Sequence, residues 1–237
     1  MGKISREKFK VHEGVFDEFT LRTLEMMKRK HYFDELGKPI KTGKEGDVYF
    51  GYRGDKTLAI KIYRMTSANF KKISQYIVRD YRFRNIKGSL RKVILVWAEK
   101  EFRNVALCHK HNISVPYMYK QFNNVIIMDY IFGKMLKDYD LENPKEFFEL
   151  LIEQLKLVRH EAKLIHGDLS EFNIMVENEL PVLIDWGQGM SVKNEADFME
   201  LKPMQERDIH NIVFYMNKRY GLELDYNEVF ERIENNN

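Results

Sequence analysis

Residues 164–176 read LIHGDLSEFNIMV, and within them an acid, Asp168, and an amide, Asn173, stand five positions apart between two short apolar runs. Twelve positions after Asn173 a second acid, Asp185, ends the apolar run PVLI in LIDWGQG. An ionised carboxylate is an acceptor able to take a proton from a hydroxyl. A carboxylate beside an amide oxygen is a hard-oxygen set of the kind that holds magnesium, with phosphate oxygens completing the shell. Singly, Asp168 can cap a helix, Asn173 close a turn and Asp185 end a strand. Together, in this order and spacing, they point to a metal-assisted reaction at a phosphate.

The spacing H-G-D-x-x-x-x-N is that of the kinase catalytic loop, in which the Asp orients or deprotonates the attacking hydroxyl and the Asn holds a metal ion. Asp185 falls where the acid of a D-F-G element binds magnesium. His166 is read as a support for the backbone. Two further groups belong with these. Lys61 lies in TLAIKIY, a charge on a strand whose alternation puts Ala59, Lys61 and Tyr63 on one face. Glu101 lies in a helical stretch with Ile94, Trp97, Ala98, Val105 and Cys108 at helical spacing, so its carboxylate needs a cation, and Lys61 is the candidate. Glu99 is the alternative, although its neighbours are more polar. The turn TGKEGD at 42–47 joins two β runs and can bring backbone N–H groups to an anion, yet it matches neither a Walker loop nor a full G-x-G-x-x-G.

These residues need elements to hold them. Residues 15–31 read as a helix capped by Asp17 or Thr20, and VYFGY, RGDK and TLAIKIY as a hairpin. Residues 93–111 read as a helix, 123–131 as a buried strand, Pro144–Leu164 as a long helix, PVLIDW as a strand, and ERDIHNIVFYMNKRYGL as a closing helix. Strands come first and helices later, which gives an α+β chain with a β-rich lobe and a mainly helical one.

The 237 residues, 44% hydrophobic, suffice for one large core or two lobes. The single cysteine, Cys108, excludes an internal disulfide framework and fits a reducing compartment. No apolar run approaches the roughly 18 residues of a membrane span, and the opening MGKISREKFKVHEG lacks a secretory apolar core. A cytoplasmic protein with no membrane partner is expected. The net charge of +3 is unevenly placed: from Lys71 to Lys92 eight basic residues face one acid, Asp80, leaving −4 for the rest. Such a patch is either a solvated loop or a contact for phosphate or RNA.

The motifs resemble those of the RIO family of atypical serine protein kinases, its first subfamily more than the winged-helix second, and in archaeal form. The resemblance runs from about Phe16 to Gly221 through TGKEGDVYF, AIKIYR, DYRFR, WAEKEFRN, HGDLSEFNIMV with LIDWGQ, and RDIHNIVFYMNKRYG. It implies a two-lobed protein-kinase-like α+β fold without activation segment or peptide platform, and no A-P-E element follows Asp185. The implied division is a helical extension at 1–37, an N-lobe at 38–127 with a flexible basic loop at about 82–92, and a C-lobe at 128–237. ATP and Mg2+ or Mn2+ are the implied cofactors. Thr42, Gly43, Lys44 and Glu45 would cover the phosphates, and Lys61, positioned by Glu101, would hold them. Met128, Tyr130 and Ile131 would line the adenine between the lobes. Asp168 would be the catalytic base, and Asn173 and Asp185 the metal ligands, with Asp185 also able to accept the phosphoryl group. Gly46 stands where many members have Ala or Ser, and Trp186-Gly187 replaces other pairs; neither removes a functional group.

The resemblance further implies ATPase activity, self-phosphorylation with Ser89 as candidate, and a role in maturation of the small ribosomal subunit, with rRNA met through 71–92 by a monomer. Two rivals share the motifs. One is a small-molecule kinase of the aminoglycoside or choline phosphotransferase type, which also uses H-G-D and IDW. The other is a ribosome-assembly scaffold that binds ATP with little turnover.

Overall fold

The computed structural model describes residues 16–65, 70–83 and 89–235, with side chains from 73 onward in the second stretch. Its described residues divide into two compact units. One lies within Met1–Ile73, Lys87–Glu99 and Met118–Tyr130, the other within Ser74–Ile86, Lys100–Tyr117 and Ile131–Asn237.

In the first unit, helix α1 (Glu18–Arg29) starts at Asp17, whose side chain accepts the Thr20 N–H at 3.0 Å; Thr20 is instead buried. Strands β1 (Glu35–Thr42), β2 (Gly46–Arg53) and β3 (Lys56–Tyr63) follow. The Gly54-Asp55 turn closes the expected hairpin, with Gly54 at φ +55°. Strands β4 (Met118–Phe122) and β5 (Val125–Asp129) complete an antiparallel sheet in the order β1-β2-β3-β5-β4. Leu58, Ile60 and Ile62 share a core with Leu24 and Met27 of α1 and with Val125 and Ile127. Period-2 alternation therefore turns Ala59, Lys61 and Tyr63 to the other face. Asn123 and Asn124 bond Thr23 and Thr20 at 2.9 Å each, tying α1 to the β4–β5 turn.

Helix α2 (Phe70–Arg79) and the start of helix α3 (Leu90–Lys110) take up 71–79 and 90–92 of the basic segment. Arg82 is bonded to Asp80 and Asn104, and Arg91 lies 3.7 Å from the ring centroid of Phe19, because these guanidiniums find partners inside their own units. Of the stretch expected to be flexible, 90–92 are helical and 84–88 lie outside the described residues.

The second unit adds small strands to the helices expected there. Strand β6 (Lys134–Met135) comes first, and helix α4 (Pro144–Lys156) starts at Asn143 with proline in its first turn. Helix α4 does not run to Leu164. It passes into a π turn at Leu157–Glu161, Lys163 takes a left-handed φ of +51°, and Leu164–Ile165 form strand β7. Strands β8 (Ile174–Glu177) and β9 (Leu180–Leu183) join β6, while β10 (Met190–Ser191) pairs with β7. The chain reaches helix α5 (Glu195–Tyr220) directly after β10, and α6 (Tyr226–Glu234) packs against α5 and α4. No long segment intervenes between Asp185 and α5. Among the described residues no helix is long and apolar enough to cross a membrane.

Candidate active site

In the first unit the 42–47 turn is anchored from beneath. Asp47 is buried, accepts the Gly43 N–H at 3.2 Å, and is gripped by Arg64 through Nε at 3.0 Å and Nη2 at 2.8 Å. The Arg64 N–H donates to the carbonyl of Glu45 at 3.0 Å, so one residue after β3 holds the second half of the turn, and Asp47 holds Gly43. At Gly46 an added Cβ would meet the Ile62 carbonyl at 2.6 Å, which gives glycine at this position a packing reason. Thr42 and Lys44 are exposed, and Gly43 and Glu45 are half-buried.

Lys61 is half-buried on β3 between Val48 and Ile126, with Nζ 5.1 Å from the Tyr63 ring centroid. Met128 lies in β5 opposite Ala59, and Tyr130 follows with its ring 5.0 Å from that of Phe50. Tyr130 ends the last segment of the first unit and Ile131 opens the last segment of the second. Glu101 is buried on α3, and Ile94, Trp97, Ala98, Val105 and Cys108 on the same stripe are buried too. It belongs to the second unit and Lys61 to the first.

The second unit brings three singled-out residues together. The loop from β7 to β8 turns at Gly167, where φ is +77°. Asn173 donates through Nδ2 to the Asp168 carbonyl at 2.7 Å, and more weakly to its Oδ2 at 3.4 Å. The Asn173 carbonyl accepts the Ile184 N–H at 3.0 Å, which fixes the residue before Asp185 against the loop. Asp185 itself is exposed and takes a left-handed φ of +64°, an uncommon conformation outside glycine and one that concentrates at functional sites.

His166 is buried, with Nε2 3.0 Å from the Ile184 carbonyl and its ring 4.5 Å from that of Trp186. Facing a carbonyl, Nε2 must donate. Burial pushes its pKa down to about 4, against the bond to Ile184, so the ring is neutral and structural. Trp186 is wholly buried and bonds the Leu183 carbonyl at 3.3 Å, so the aromatic residue after Asp185 anchors its loop.

Three residues of α5 support the same loop. Asp208 is buried and accepts the N–H groups of Gly167 at 2.6 Å and Leu169 at 3.0 Å. Arg207 donates to the Gly167 carbonyl, and Asn211 to that of Leu169 at 3.1 Å. Burial raises the Asp208 carboxyl to about 7, opposed by the two N–H bonds. Sequence reasoning missed all three; for Asp208, an acid at helical spacing from Leu201, Met204 and Ile212 was the available signal.

The donors present fit magnesium. With Nδ2 of Asn173 spent on Asp168, its Oδ1 is the amide atom a cation can take, and Asp185 adds a carboxylate. Among the described residues no group of three or more His, Cys, Asp or Glu is arranged to hold a metal.

Comparison with known proteins gives the family. The family model described as RIO domain matches residues 47–229. The RIO-type serine/threonine-protein kinase Rio1 of Methanocaldococcus jannaschii is 33% identical over 96% of this chain and 78% of its own length. That of Haloferax volcanii is 31% identical over 95% and 78%. The solved Rio2 kinase of Chaetomium thermophilum shares the fold, with a TM-score of 0.69 and 23% identity over 90% of this chain and 67% of its own. Its ADP/Mg2+-phosphoaspartate complex gives 0.68 and 22%, over 90% and 65%. Family match and relatives favour this assignment over the small-molecule phosphotransferases. The chain belongs to the RIO family of atypical serine/threonine-protein kinases, with the two-lobed α+β fold of that family, and within it to the Rio1 type.

Proposed function

We propose that the chain transfers the γ-phosphoryl group of ATP to a serine hydroxyl or to water, phosphorylates itself, and acts in maturation of the small ribosomal subunit. The observation that carries this reading is the tie of Asp168, Asn173 and the Ile184–Asp185 turn through Asn173.

In this reading Asp168 orients the attacking oxygen and takes its proton as the bond from the γ-phosphorus to ADP breaks. Lys61, supported by Glu101, holds the phosphates, and the N–H groups of 42–45 cover them. Asn173 and Asp185 hold Mg2+ or Mn2+, which when bound neutralises charge on the phosphates. The main chain of Met128, Tyr130 and Ile131 receives the adenine. Asp185 is also a candidate phosphoryl acceptor; a phosphoaspartate is named in the complex of the Rio2 relative. Ser89 is exposed just before α3 and is the candidate serine acceptor. The basic residues of 71–92 meet rRNA phosphates, a contact that weakens with salt. A cytoplasmic monomer is the working state.

The test is incubation with γ-labelled ATP and magnesium, with and without purified small ribosomal subunits, following label into protein and free phosphate. Label in either, at a rate the subunits change, supports the reading. Binding of ATP without turnover favours the scaffold, and label on an added amino alcohol overturns it. Loss of serine label in Ser89→Ala tests the acceptor.

A further inference from the structure

The three carbonyls of residues 186, 187 and 189, just beyond Asp185, are all taken by two side chains of α3. Lys100 Nζ donates to Gly187 at 2.9 Å and to Gly189. Asn104 Nδ2 donates to Trp186 and to Gly189, at 2.9 Å each. Both residues are fully buried. Behind them, Asn104 Oδ1 accepts Arg82 Nη2 at 2.6 Å. Arg82 grips the buried Asp80 through Nε at 2.9 Å and Nη2 at 2.6 Å, and Asp80 stands 3.7 Å from Lys100 Nζ. The loop is pressed against this group: a Cβ on Gly189 would meet Asn104 Nδ2 at 2.9 Å. Farther along, Tyr81 and Ser191 hydroxyls lie 3.4 Å apart. All of these residues lie in the second unit.

Stability alone is a poor reason for such a group. A buried ion cluster is often no better than apolar residues of the same size, because desolvation offsets the Coulomb gain. Burial pulls the Lys100 pKa down to about 7, with Asp80 working against it. What the cluster provides is direction, since Lys100 and Asn104 both donate out of it to the backbone of 186–189. That backbone follows a non-glycine residue at positive φ, which persists only where its surroundings fix it.

We propose that Asp80, Arg82, Lys100 and Asn104 form a clamp that holds the 185–189 loop in the conformation from which Asp185 reaches a metal ion, so that Lys100 and Asn104 are positioning residues for the metal site. The clamp rests on the reading of Asp185 as a ligand. It gives the turn after α2 a second task beside any contact with RNA.

The test compares the native protein with Lys100→Met, which keeps the length of the side chain and removes its donors. Three quantities are read: hydrogen exchange of the 186–189 amides, the magnesium concentration for half-maximal single-turnover ATP cleavage, and the Tm. Supporting groups around metal ligands change metal affinity by about 10- to 100-fold, so a rise of that order in magnesium demand is expected. Exchange at 186–189 should quicken while 167–173 keeps its protection, and affinity for ATP without metal should hold. Lys100→Arg should recover part of the magnesium response. Where Lys100→Met does not fold, Asn104→Ala carries the same measurement. Unchanged exchange overturns the clamp, and faster exchange with unchanged magnesium demand overturns its positioning role. Absence of magnesium-dependent turnover in the native protein overturns the ligand reading, and exchange still decides whether the clamp exists.

Discussion

Asp208 accepts the main-chain N–H of Gly167 at 2.6 Å across 41 positions of sequence, and by also accepting that of Leu169 it straddles Asp168. The candidate base thus sits between two amides fixed to one carboxylate of the longest helix. A loop of this shape is otherwise held by Arg207 and Asn211 through its carbonyls.

Asp208→Ala leaves two buried N–H groups without an acceptor, each costing about 1–3 kcal/mol. Urea unfolding should show a loss of that order, and kcat should fall by roughly ten-fold or more while KM for ATP changes little. A kcat equal to the native value would show that the loop keeps its shape unaided.

Arg64→Met removes the cation that grips the buried Asp47 and its two side-chain donors, while the Arg64 main-chain N–H to Glu45 stays. The buried carboxylate then has only the Gly43 N–H among the bonds described above, and the turn loses its brace. We expect KM for ATP to rise by about 5- to 10-fold with kcat nearly unchanged, the pattern of lost ground-state binding. Steady-state kinetics checks this; equal KM values would remove the turn from nucleotide binding.

His166 gives a pH prediction. Its ordinary pKa of 6.5 falls to about 4 in the fold, so between those values the unfolded chain takes a proton that the folded protein refuses. Stability from this group is full above pH 6.5 and is lost as pH falls to 4, by about 3 kcal/mol. Asp208, raised by burial, has the opposite slope, so the native curve alone does not isolate the histidine. The stability difference between native protein and His166→Phe should therefore shrink by about 3 kcal/mol from pH 7 to 4 in urea titrations. A constant difference contradicts the assignment.

The β2–β3 hairpin and β5 were legible because alternation in TLAIKIY, the GD turn and the apolar run VIIM are local signals, and so was the loop carrying Asp168 and Asn173; β1 and β4, short of such a pattern, were not. Helix α2 was not, since KKISQYIVR reads first as charge and its burial of Ile73 and Ile77 is a tertiary fact. The end of α4 was lost in an unbroken helical pattern, because a π turn leaves no mark on composition. Glu101 was chosen for its apolar stripe while Lys100 beside it went unnoticed. Its own neighbours Val93, Val96, Trp97 and Asn104 were the signal, but its partners are carbonyls nearly ninety positions away, which no side-chain pattern encodes.

Single-turnover cleavage of γ-labelled ATP with magnesium, in native protein and in Asp168→Asn and Asp185→Ala, tests the central claim most directly. Positioning and electrostatics carry phosphoryl transfer, so both variants should slow the step by about two orders of magnitude or more while remaining folded. Cleavage at the native rate in either variant would contradict the assignment of that residue and, with it, the account of this site.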